Sequence, residues 1–504
     1  MKKAVYSVMV ITVAAKILGF GREILLSYYF GASGISDAYL ISQTIPGTIF
    51  LFVGTGLATS FIPVYMKIKN QNGIREADSF TNTILTLILV FSTIVVLMTW
   101  LFTKPLVKLF ANGFVGQTLD YAAMFTRIGI LSLYFSAMTY VFNSYLQANG
   151  FFSIVAFVAI PNSIVIMLAI VFGAKGHVIL LAIGSLLAVF IQLLILWWAV
   201  NKQGFRVKLN CDFFDSHVKE IVRLMIPVIL GVSVNQINVL IDRTIASRIA
   251  TGGISALMYA DSLIMFVQGV FSQSVSTVYY PSITKLVEEK KENEVKTLVN
   301  DALGSMAFIL VPIMMGCIIL GIGIVRILYG RGEFSEDAVN MTGQALSLYG
   351  VGIVGYGFRE TLSRVFYAYH DTKTPMLNAT IGMVLNIILN IILSELMGIG
   401  GLALATSVSS ITTAYVLYIH LKKSMGEILD IKMKKDLFKM IVAASVMGVA
   451  VWLSYINVER WGGNFVGVMV SVFAGMTVYF ILTKVFRVSI YEKMKEMIKS
   501  QISK

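Results

Sequence analysis

The chain has 504 residues, of which 57% are hydrophobic and only 13% are charged. A soluble domain carries roughly 25% charged residues, so this composition excludes an ordinary soluble protein and predicts an integral membrane protein. The net charge of +13 resides in short segments between long apolar runs. These segments lack the groove of basic and aromatic residues that single-stranded nucleic acid requires, which argues against a nucleic-acid partner.

Apolar runs of about 20 residues recur along the whole chain, and each is long enough to cross about 30 Å of hydrocarbon. Clear examples occupy residues 83–102, 178–200 and 465–483. The runs predict an all-α polytopic membrane protein with fourteen transmembrane helices. The polar connections are too short to fold as a separate catalytic domain, and no paired-carboxylate, His–Cys or nucleotide-binding pattern stands out. We therefore expect the membrane helices to carry the function, and we do not expect an enzyme.

Lysine and arginine are distributed unevenly between the two sides of the membrane. If the N-terminus is cytoplasmic, the even-numbered connections are cytoplasmic too, and they hold most of the basic residues. The positive-inside rule therefore predicts that both termini are cytoplasmic. The richest of these segments are residues 67–75, 201–208, 285–296 and 422–435, followed by a basic tail from Arg487.

The sequence repeats itself at an offset near 219 residues. The segment GISDAYLIS at 34–42 aligns with GISALMYADS at 253–262, and Pro63 aligns with Pro281. Similar composition alone is the alternative explanation, but the joint agreement of proline, glycine and loop spacing favours a true repeat.

The repeat divides the chain into two six-helix lobes and an addition. We expect the first lobe at residues 1–217, the second at 218–430, and the last two helices with a basic cytoplasmic tail at 431–504. Because six is an even number, the two lobes have the same orientation in the membrane. Transporters built in this way usually bind substrate between their halves and alternate access by rocking them.

Ionisable residues occur inside the predicted helices of the first lobe. The first helix carries Lys16, Arg22 and Glu23, and Asp37 opens the second. An isolated charge in hydrocarbon costs about 3 kcal/mol or more, so such residues indicate a functional site. The alternative to a functional site is that Arg22 and Glu23 neutralise each other as an ion pair and only hold helices together. Lys16 has no carboxylate four residues away, and two cations suit a diphosphate or another anionic headgroup.

The second lobe carries its own polar residues at membrane depth. Asp242 and Arg243 lie in the seventh predicted helix, and Arg359 lies in the tenth. Asn386 and Asn390, four residues apart, share one face of the eleventh helix. Together with Asp242, Thr406 and the carbonyl of Leu402, the two asparagines would form an all-oxygen site suited to a monovalent cation. Simple hydrogen bonding between helices is the alternative.

Several segments together resemble the MurJ (MviN) lipid II flippase family of the MOP transporter superfamily. The segments are KILGFGREILLSYYFGASGISDAYLIS, PVILGVSVNQINVLIDRTIAS, GGISALMYADSL and YHDTKTPMLNA, and the similarity covers nearly the whole chain. The resemblance implies two six-helix lobes in the V-shaped arrangement of that superfamily, plus two C-terminal helices. It also implies a bacterial cytoplasmic membrane protein, which we expect to be a monomer surrounded by membrane lipids.

The resemblance implies a flippase for an undecaprenyl-diphosphate-linked peptidoglycan precursor, lipid II. Family members move it from the cytoplasmic to the outer leaflet by alternating access, coupled to an ion gradient or the membrane potential. A cationic central cavity holds the headgroup, and the last two helices form a groove for the polyprenyl tail. The residues that match the family pattern for substrate binding are Lys16, Arg22, Glu23 and Asp37, and we expect Arg243 and Arg359 to add to this set. Asp242, Asn386, Asn390 and Thr406 resemble a Na⁺ site of the family, and we expect the Leu402 carbonyl to complete it.

The chain departs from the family pattern at several positions. Lys16 stands where the family usually has arginine, and Glu23 stands for the usual aspartate. No arginine occurs in the segment 46–56, and Ser262 replaces another family arginine. These losses leave open a flippase for a different lipid-linked oligosaccharide, of the exopolysaccharide type. A cation-coupled exporter resembling the MATE group is a third alternative, although such proteins normally have twelve membrane helices.

Overall fold

A computed structural model describes residues 2–210, 212 and 216–493, and within these ranges the chain is helical with no β-strand. Residues 494–504 of the predicted tail lie outside the described residues. The helices are α1 (Lys2–Phe30), α2 (Gly34–Asn72), α3 (Ile74–Leu101), α4 (Thr103–Phe110), α5 (Gly116–Gly129), α6 (Ser132–Ala148), α7 (Phe152–Phe157), α8 (Ala159–Gly173), α9 (Ile179–Lys202), α10 (Ser216–Ile249), α11 (Gly253–Val267), α12 (Gln273–Glu288), α13 (Glu292–Leu328), α14 (Glu336–Val351), α15 (Ile353–Ala368), α16 (Lys373–Met397), α17 (Ile399–Met425) and α18 (Ile431–Val485). A single π-helical turn, Gln268–Ser272, joins α11 to α12.

Each of the first twelve predicted membrane helices corresponds to one helix or to a broken pair of helices. Among the described residues, nine helices are long and apolar enough to cross a membrane, or ten if α5 and α6, bent by 45°, form one span. The 55-residue α18 is interrupted at Gly463, whose φ of +73° is not helical, so it contains both of the last two predicted spans. The multi-pass all-α class is confirmed, and the exact number of fourteen spans stays a prediction.

The first compact unit comprises Met1–Ser255 and Gly332–Phe334. Its central helix is α2, which packs against α3, α5, α6 and α10. The core of this unit combines stacked aromatic side chains from three helices: Phe61 and Tyr65 of α2, Phe80 of α3 and Tyr145 of α6. All four are almost completely buried. Helix α2 thus contributes to a continuous aromatic core, although it contains two prolines.

The second compact unit comprises Ala256–Arg331 and Ser335–Lys504. Within it α13 packs against α14 and α18, and α16 packs against α17. One apolar core joins α13 to both halves of α18, and another joins α12, α13, α15 and α17. The long helix α13 therefore belongs to both cores and organises the unit.

The compact units do not follow the predicted repeat boundary. Helix α10, which we expect to open the second lobe, belongs to the first unit and packs there against α2 and α4. A boundary between sequence repeats and a boundary between compact units are different properties of a chain. The lobes at 1–217 and 218–430 and the addition at 431–504 therefore stay a prediction.

One contact in the first unit occurs twice at the repeat offset. The Gly113 amide donates to Ser247 Oγ at 3.0 Å, and the Glu333 amide donates to the Tyr28 carbonyl at 2.9 Å. Ser247 is the repeat equivalent of Tyr28, and Gly332 is that of Gly113. At either glycine a Cβ would lie within about 2 Å of a carbonyl oxygen, of Ser247 or Tyr28 respectively. A loop from each repeat thus packs closely against a helix end from the other.

Candidate functional site

Helix α1 presents two cations without protein partners among the described residues. Lys16 is exposed and Arg22 is half-buried, and neither side chain makes a hydrogen bond or ion pair within the described ranges. Six residues of helix separate them by about 9 Å along the axis. Because bare cations in hydrocarbon are costly, water or an anionic ligand must solvate them. Glu23, also half-buried, has an interaction partner in the structure.

Arg22 lies within electrostatic reach of a fixed polar pair. The pair is Tyr39 of α2 and Ser185 of α9, and the Tyr39 hydroxyl is hydrogen-bonded to Ser185 Oγ at 2.8 Å. Tyr39 and Ser185 are both buried. The sequence analysis did not single out this pair, because a tyrosine and a serine on separate helices carry no recognisable pattern.

Asp37 has a clear structural role. Its side chain is only 1% exposed. The carboxylate accepts hydrogen bonds from the Gly252 amide at 2.8 Å, the Ser255 amide at 2.8 Å and Ser255 Oγ at 2.7 Å. These groups form the first turn of α11, where unpaired amides and the helix dipole favour a negative charge. Asp37 therefore caps a helix far away in sequence, and its contact with substrate stays a prediction.

The repeat places equivalent residues next to each other at this cap. Ser36 Oγ donates to Ser255 Oγ at 3.2 Å, and the two serines are separated by the repeat offset of 219 residues. Ser36 also takes part in the capping box that begins α2. The starts of α2 and α11 thus meet through equivalent serines, and Asp37 strengthens the contact. The alignment of the two GIS segments was the signal that could have revealed this pairing.

In the second unit, Arg359 belongs to a cluster of arginines and tyrosines on α12 and α15. The Arg359 guanidinium lies 5.3 Å from the Tyr356 ring centroid and has no ion pair among the described residues. Arg364 pairs with Glu360 at 2.7 Å and lies 5.6 Å from the Tyr280 ring. Such a polar face in a membrane protein must meet water or ligand. The sequence predicted Arg359 but not the tyrosines beside it.

The predicted cation-binding residues separate into two groups. Asn390 Nδ2 donates to Asn386 Oδ1 at 2.8 Å, Asn386 Nδ2 donates to Thr406 Oγ1 at 3.1 Å, and Thr406 Oγ1 donates to the Leu402 carbonyl at 3.0 Å. These four residues lie together in the second unit. Asp242 belongs to the first unit, where it and Arg243 lie half-buried on α10, each with an interaction partner.

The asparagine cluster has the donor chemistry for a sodium ion. Both asparagines are buried, and the Asn386 amide group lies next to the Thr406 hydroxyl, which in turn reaches the Leu402 carbonyl oxygen. Rotation of an amide group would exchange its nitrogen for its oxygen at the same position. No group of three or more His, Cys, Asp and Glu that could hold a metal ion occurs among the described residues. Neutral oxygens would therefore supply most of the ligands here, which suits a monovalent cation.

An apolar cavity of about 800 Å³ lies between α13 and α18 in the second unit. Its walls include Phe308, Ile313 and Leu320 of α13 and Val451 and Met476 of α18. The hydroxyl of Tyr479 in this wall is satisfied, because it donates to the Phe308 carbonyl at 3.1 Å. The cavity therefore offers a nearly pure hydrocarbon surface. It lies where the resemblance predicts a groove along the last two helices.

Comparisons with known proteins agree on one family. The family model described as lipid II flippase MurJ matches residues 26–473. A probable lipid II flippase MurJ from Buchnera aphidicola subsp. Baizongia pistaciae is 27% identical over 458 residues, covering 90% of this chain and 89% of the relative. A protein of the same description from Thermotoga maritima is 27% identical over 496 residues, covering 97% and 96% of the two chains.

Solved structures give the same result. A structure described as lipid II flippase MurJ in an inward closed conformation matches with a TM-score of 0.82 and 27% identity, covering 95% of this chain and 98% of that chain. An inward-facing multidrug MATE transporter of the MOP superfamily matches with a TM-score of 0.69 and 14% identity, covering 84% and 99%. At that identity the second match shows the fold alone. The chain is a multi-pass membrane protein that belongs to the lipid II flippase MurJ family.

Proposed function

We propose that the protein moves lipid II from the cytoplasmic to the outer leaflet of the bacterial cytoplasmic membrane by alternating access. The observation that carries this proposal is the apolar cavity of about 800 Å³ between α13 and α18, in a chain of the MurJ family. A lipid-linked substrate needs two kinds of surface, one for its hydrocarbon tail and one for its charged headgroup. Both kinds are present on membrane helices of this protein.

The cavity suits the tail for a physical reason. Within a bilayer a hydrocarbon chain gains nothing from leaving water, so a groove must attract it by close packing. The walls of the cavity combine aromatic rings, branched aliphatic side chains and the flexible Met447 and Met476. Methionine adapts its shape to irregular ligands. A long, branched polyprenyl chain fits such a surface better than a compact polar drug does.

The cations on α1 suit the headgroup. Lys16 and Arg22 have no protein partners among the described residues, so a diphosphate can take up their hydrogen-bond donors without breaking an existing contact. Arg243 of the first unit is a further candidate for the headgroup, and Arg359 of the second unit stays a substrate contact predicted from the sequence. We propose that Glu23 and Asp37 position the cationic helices around it. We also propose that both termini lie in the cytoplasm, from the distribution of basic residues between the two sides.

The test is flipping of purified lipid II in proteoliposomes, with protein-free vesicles as the reference. We expect the protein to accelerate appearance of lipid II in the opposite leaflet. Folded protein that gives no acceleration, with a cation gradient and a membrane potential applied, would overturn the proposal.

A flippase for another lipid-linked oligosaccharide is the second candidate. It is favoured by the missing arginines in 46–56 and at Ser262, which leave fewer cations for the headgroup. Complementation of a strain depleted of its own lipid II flippase separates the two candidates. Growth supports lipid II as the substrate, and failure despite normal membrane expression favours the other glycan.

The cavity leads to a prediction at Gly316 of α13. A Cβ at this position meets no other atom within 4 Å, so a larger side chain extends into the open cavity. We expect Gly316→Phe to slow flipping of lipid II at least about tenfold, because the ring occupies space proposed for the tail. Flipping is measured in proteoliposomes. The control is Gly316→Ala, which changes the same residue but adds only a small side chain. Unchanged flipping in Gly316→Phe would remove the cavity from the transport path.

The asparagine cluster leads to a prediction about sodium, which we propose as the coupling ion at Asn386, Asn390, Leu402 and Thr406 of the second unit. Asp242 of the first unit stays a ligand predicted from the sequence. Thr406→Val removes one oxygen while keeping the shape of the side chain. We expect the sodium concentration for half-maximal flipping to rise about tenfold, since a lost ligand of about 1.4 kcal/mol corresponds to that factor.

Thr412→Val is the matched control for this measurement. Thr412 lies on the same helix, is half-buried, and among the described residues its hydroxyl bonds only to the Val408 carbonyl, at 2.9 Å. Asp242→Asn should act like Thr406→Val. Flipping with the same sodium dependence in Thr406→Val and the wild type would rule out the proposed site.

A further inference from the structure

A second cavity lies in the first unit, away from every residue proposed above for transport. Its volume is about 380 Å³. It forms where α6 ends, α7 begins and α9 ends, and Gly150 makes the turn between α6 and α7 with a φ of +84°. The lining includes Phe151, Phe152, Trp198 and Lys202. The proposed lipid II path uses none of these residues.

The lining has the composition of a bilayer interface. Phe152 is 52% exposed and Trp198 is 62% exposed, although both side chains are large and aromatic. Such side chains concentrate where hydrocarbon meets the headgroup layer. The Lys202 ammonium lies 5.2 Å from the centroid of the Trp198 ring, at the polar end of this surface. The apolar wall thus ends in a positive charge. This arrangement matches a lipid with an apolar acyl chain and an anionic headgroup.

The electrostatic surroundings favour an anion. Lys202, Arg206 and Lys208 follow one another in the segment 201–210, which contains no acidic residue. None of the three forms an ion pair within the described parts of the chain. The end of α9 and the connection between α6 and α7 both lie on the predicted cytoplasmic side. The cytoplasmic leaflet carries the anionic lipids that attract basic segments next to membrane helices.

We propose that this cavity binds one anionic phospholipid of the cytoplasmic leaflet. Lys202 contacts its phosphate, Ser153 and Gln203 supply polar contacts to the headgroup, and an acyl chain lies along Trp198 and Phe152. Basic pockets between membrane helices on the cytoplasmic side are known to hold such headgroups. Because α7 packs against α1, which carries Lys16 and Arg22, the bound lipid supports the helix proposed to contact substrate.

The test is native mass spectrometry of the full-length protein released from membranes that contain phosphatidylglycerol and phosphatidylethanolamine. We expect the wild type to retain phosphatidylglycerol selectively and Lys202→Gln to retain about fivefold less. Lys175→Gln is the matched control, because the Lys175 ammonium lies 5.4 Å from the Phe172 ring in the same unit but does not line the cavity. Lys202 is exposed, so its replacement leaves the fold intact.

Three results would overturn the proposal. The first is equal retention of phosphatidylglycerol by the wild type and Lys202→Gln. The second is an equal loss in Lys175→Gln, which would show a general effect of positive charge. The third is displacement of the phosphatidylglycerol by added lipid II in the wild type, together with loss of lipid II binding in Lys202→Gln. This result would assign the cavity to the diphosphate of the substrate. Retention lost only in Lys202→Gln and unaffected by lipid II supports the phospholipid.

Discussion

Arg22→Ala is expected to lower the rate of lipid II flipping about 10- to 100-fold while leaving the folded protein in the membrane. A hydrogen bond from a charged group contributes about 1.5–3 kcal/mol, and each 1.4 kcal/mol corresponds to a factor of ten. The loss concerns binding and not folding, because Arg22 makes no hydrogen bond or ion pair with the described residues. Lys16→Ala should act in the same direction for the same reason.

The measurement compares purified variants in proteoliposomes at equal protein density. Arg127→Ala is the control, since Arg127 is an exposed arginine of the first unit whose side chain, among the described residues, bonds only to Thr103 Oγ1, at 3.3 Å. Arg22→Lys should lie between the wild type and Arg22→Ala, because lysine keeps the charge but loses the planar fork that matches a phosphate. Wild-type flipping in Arg22→Ala would remove Arg22 from the proposed site.

The helices and the family were within reach of the sequence, because both depend on local or repeated patterns. An apolar run of about 20 residues has one stable form in a bilayer, a helix. The sequence analysis did not predict the breaks within those helices. The π-helical turn at Gln268–Ser272 and the bend between α5 and α6 interrupt segments that the sequence analysis treats as single membrane helices. Composition alone does not distinguish a straight span from a broken one.

The candidate site was only half predictable. The sequence located the charged residues on their helices, since each stands out against an apolar background. Their partners were not visible, because they are distant in sequence or belong to the backbone. Asp37 is satisfied by two amides and a hydroxyl that lie 215 to 218 residues further along the chain. Only the repeat alignment brought Ser36 and Ser255 into relation beforehand.

Asp37 allows a direct test of whether a predicted site residue binds substrate or stabilises the fold. Asp37→Ala leaves the Gly252 amide and both donors of Ser255 without this acceptor. A buried group that loses its partner costs about 1–3 kcal/mol, so we expect the protein to be destabilised by about 3 kcal/mol. The thermal midpoint of the purified protein should fall clearly. It is measured as the temperature at which half of the monodisperse chromatographic peak is lost. Asp37→Asn keeps one acceptor oxygen and should cause a smaller fall.

A double-mutant cycle with Ser255→Ala identifies the cause. If Asp37 acts through the first turn of α11, the two substitutions share a contact and their effects on stability are not additive, with a coupling of about 0.5–3 kcal/mol. If Asp37 instead binds the headgroup, Asp37→Ala abolishes flipping without lowering the thermal midpoint, and Ser255→Ala does neither. The first pattern makes Asp37 a structural link between equivalent helix starts. The second would return Asp37 to the substrate site, as its resemblance to the family implies.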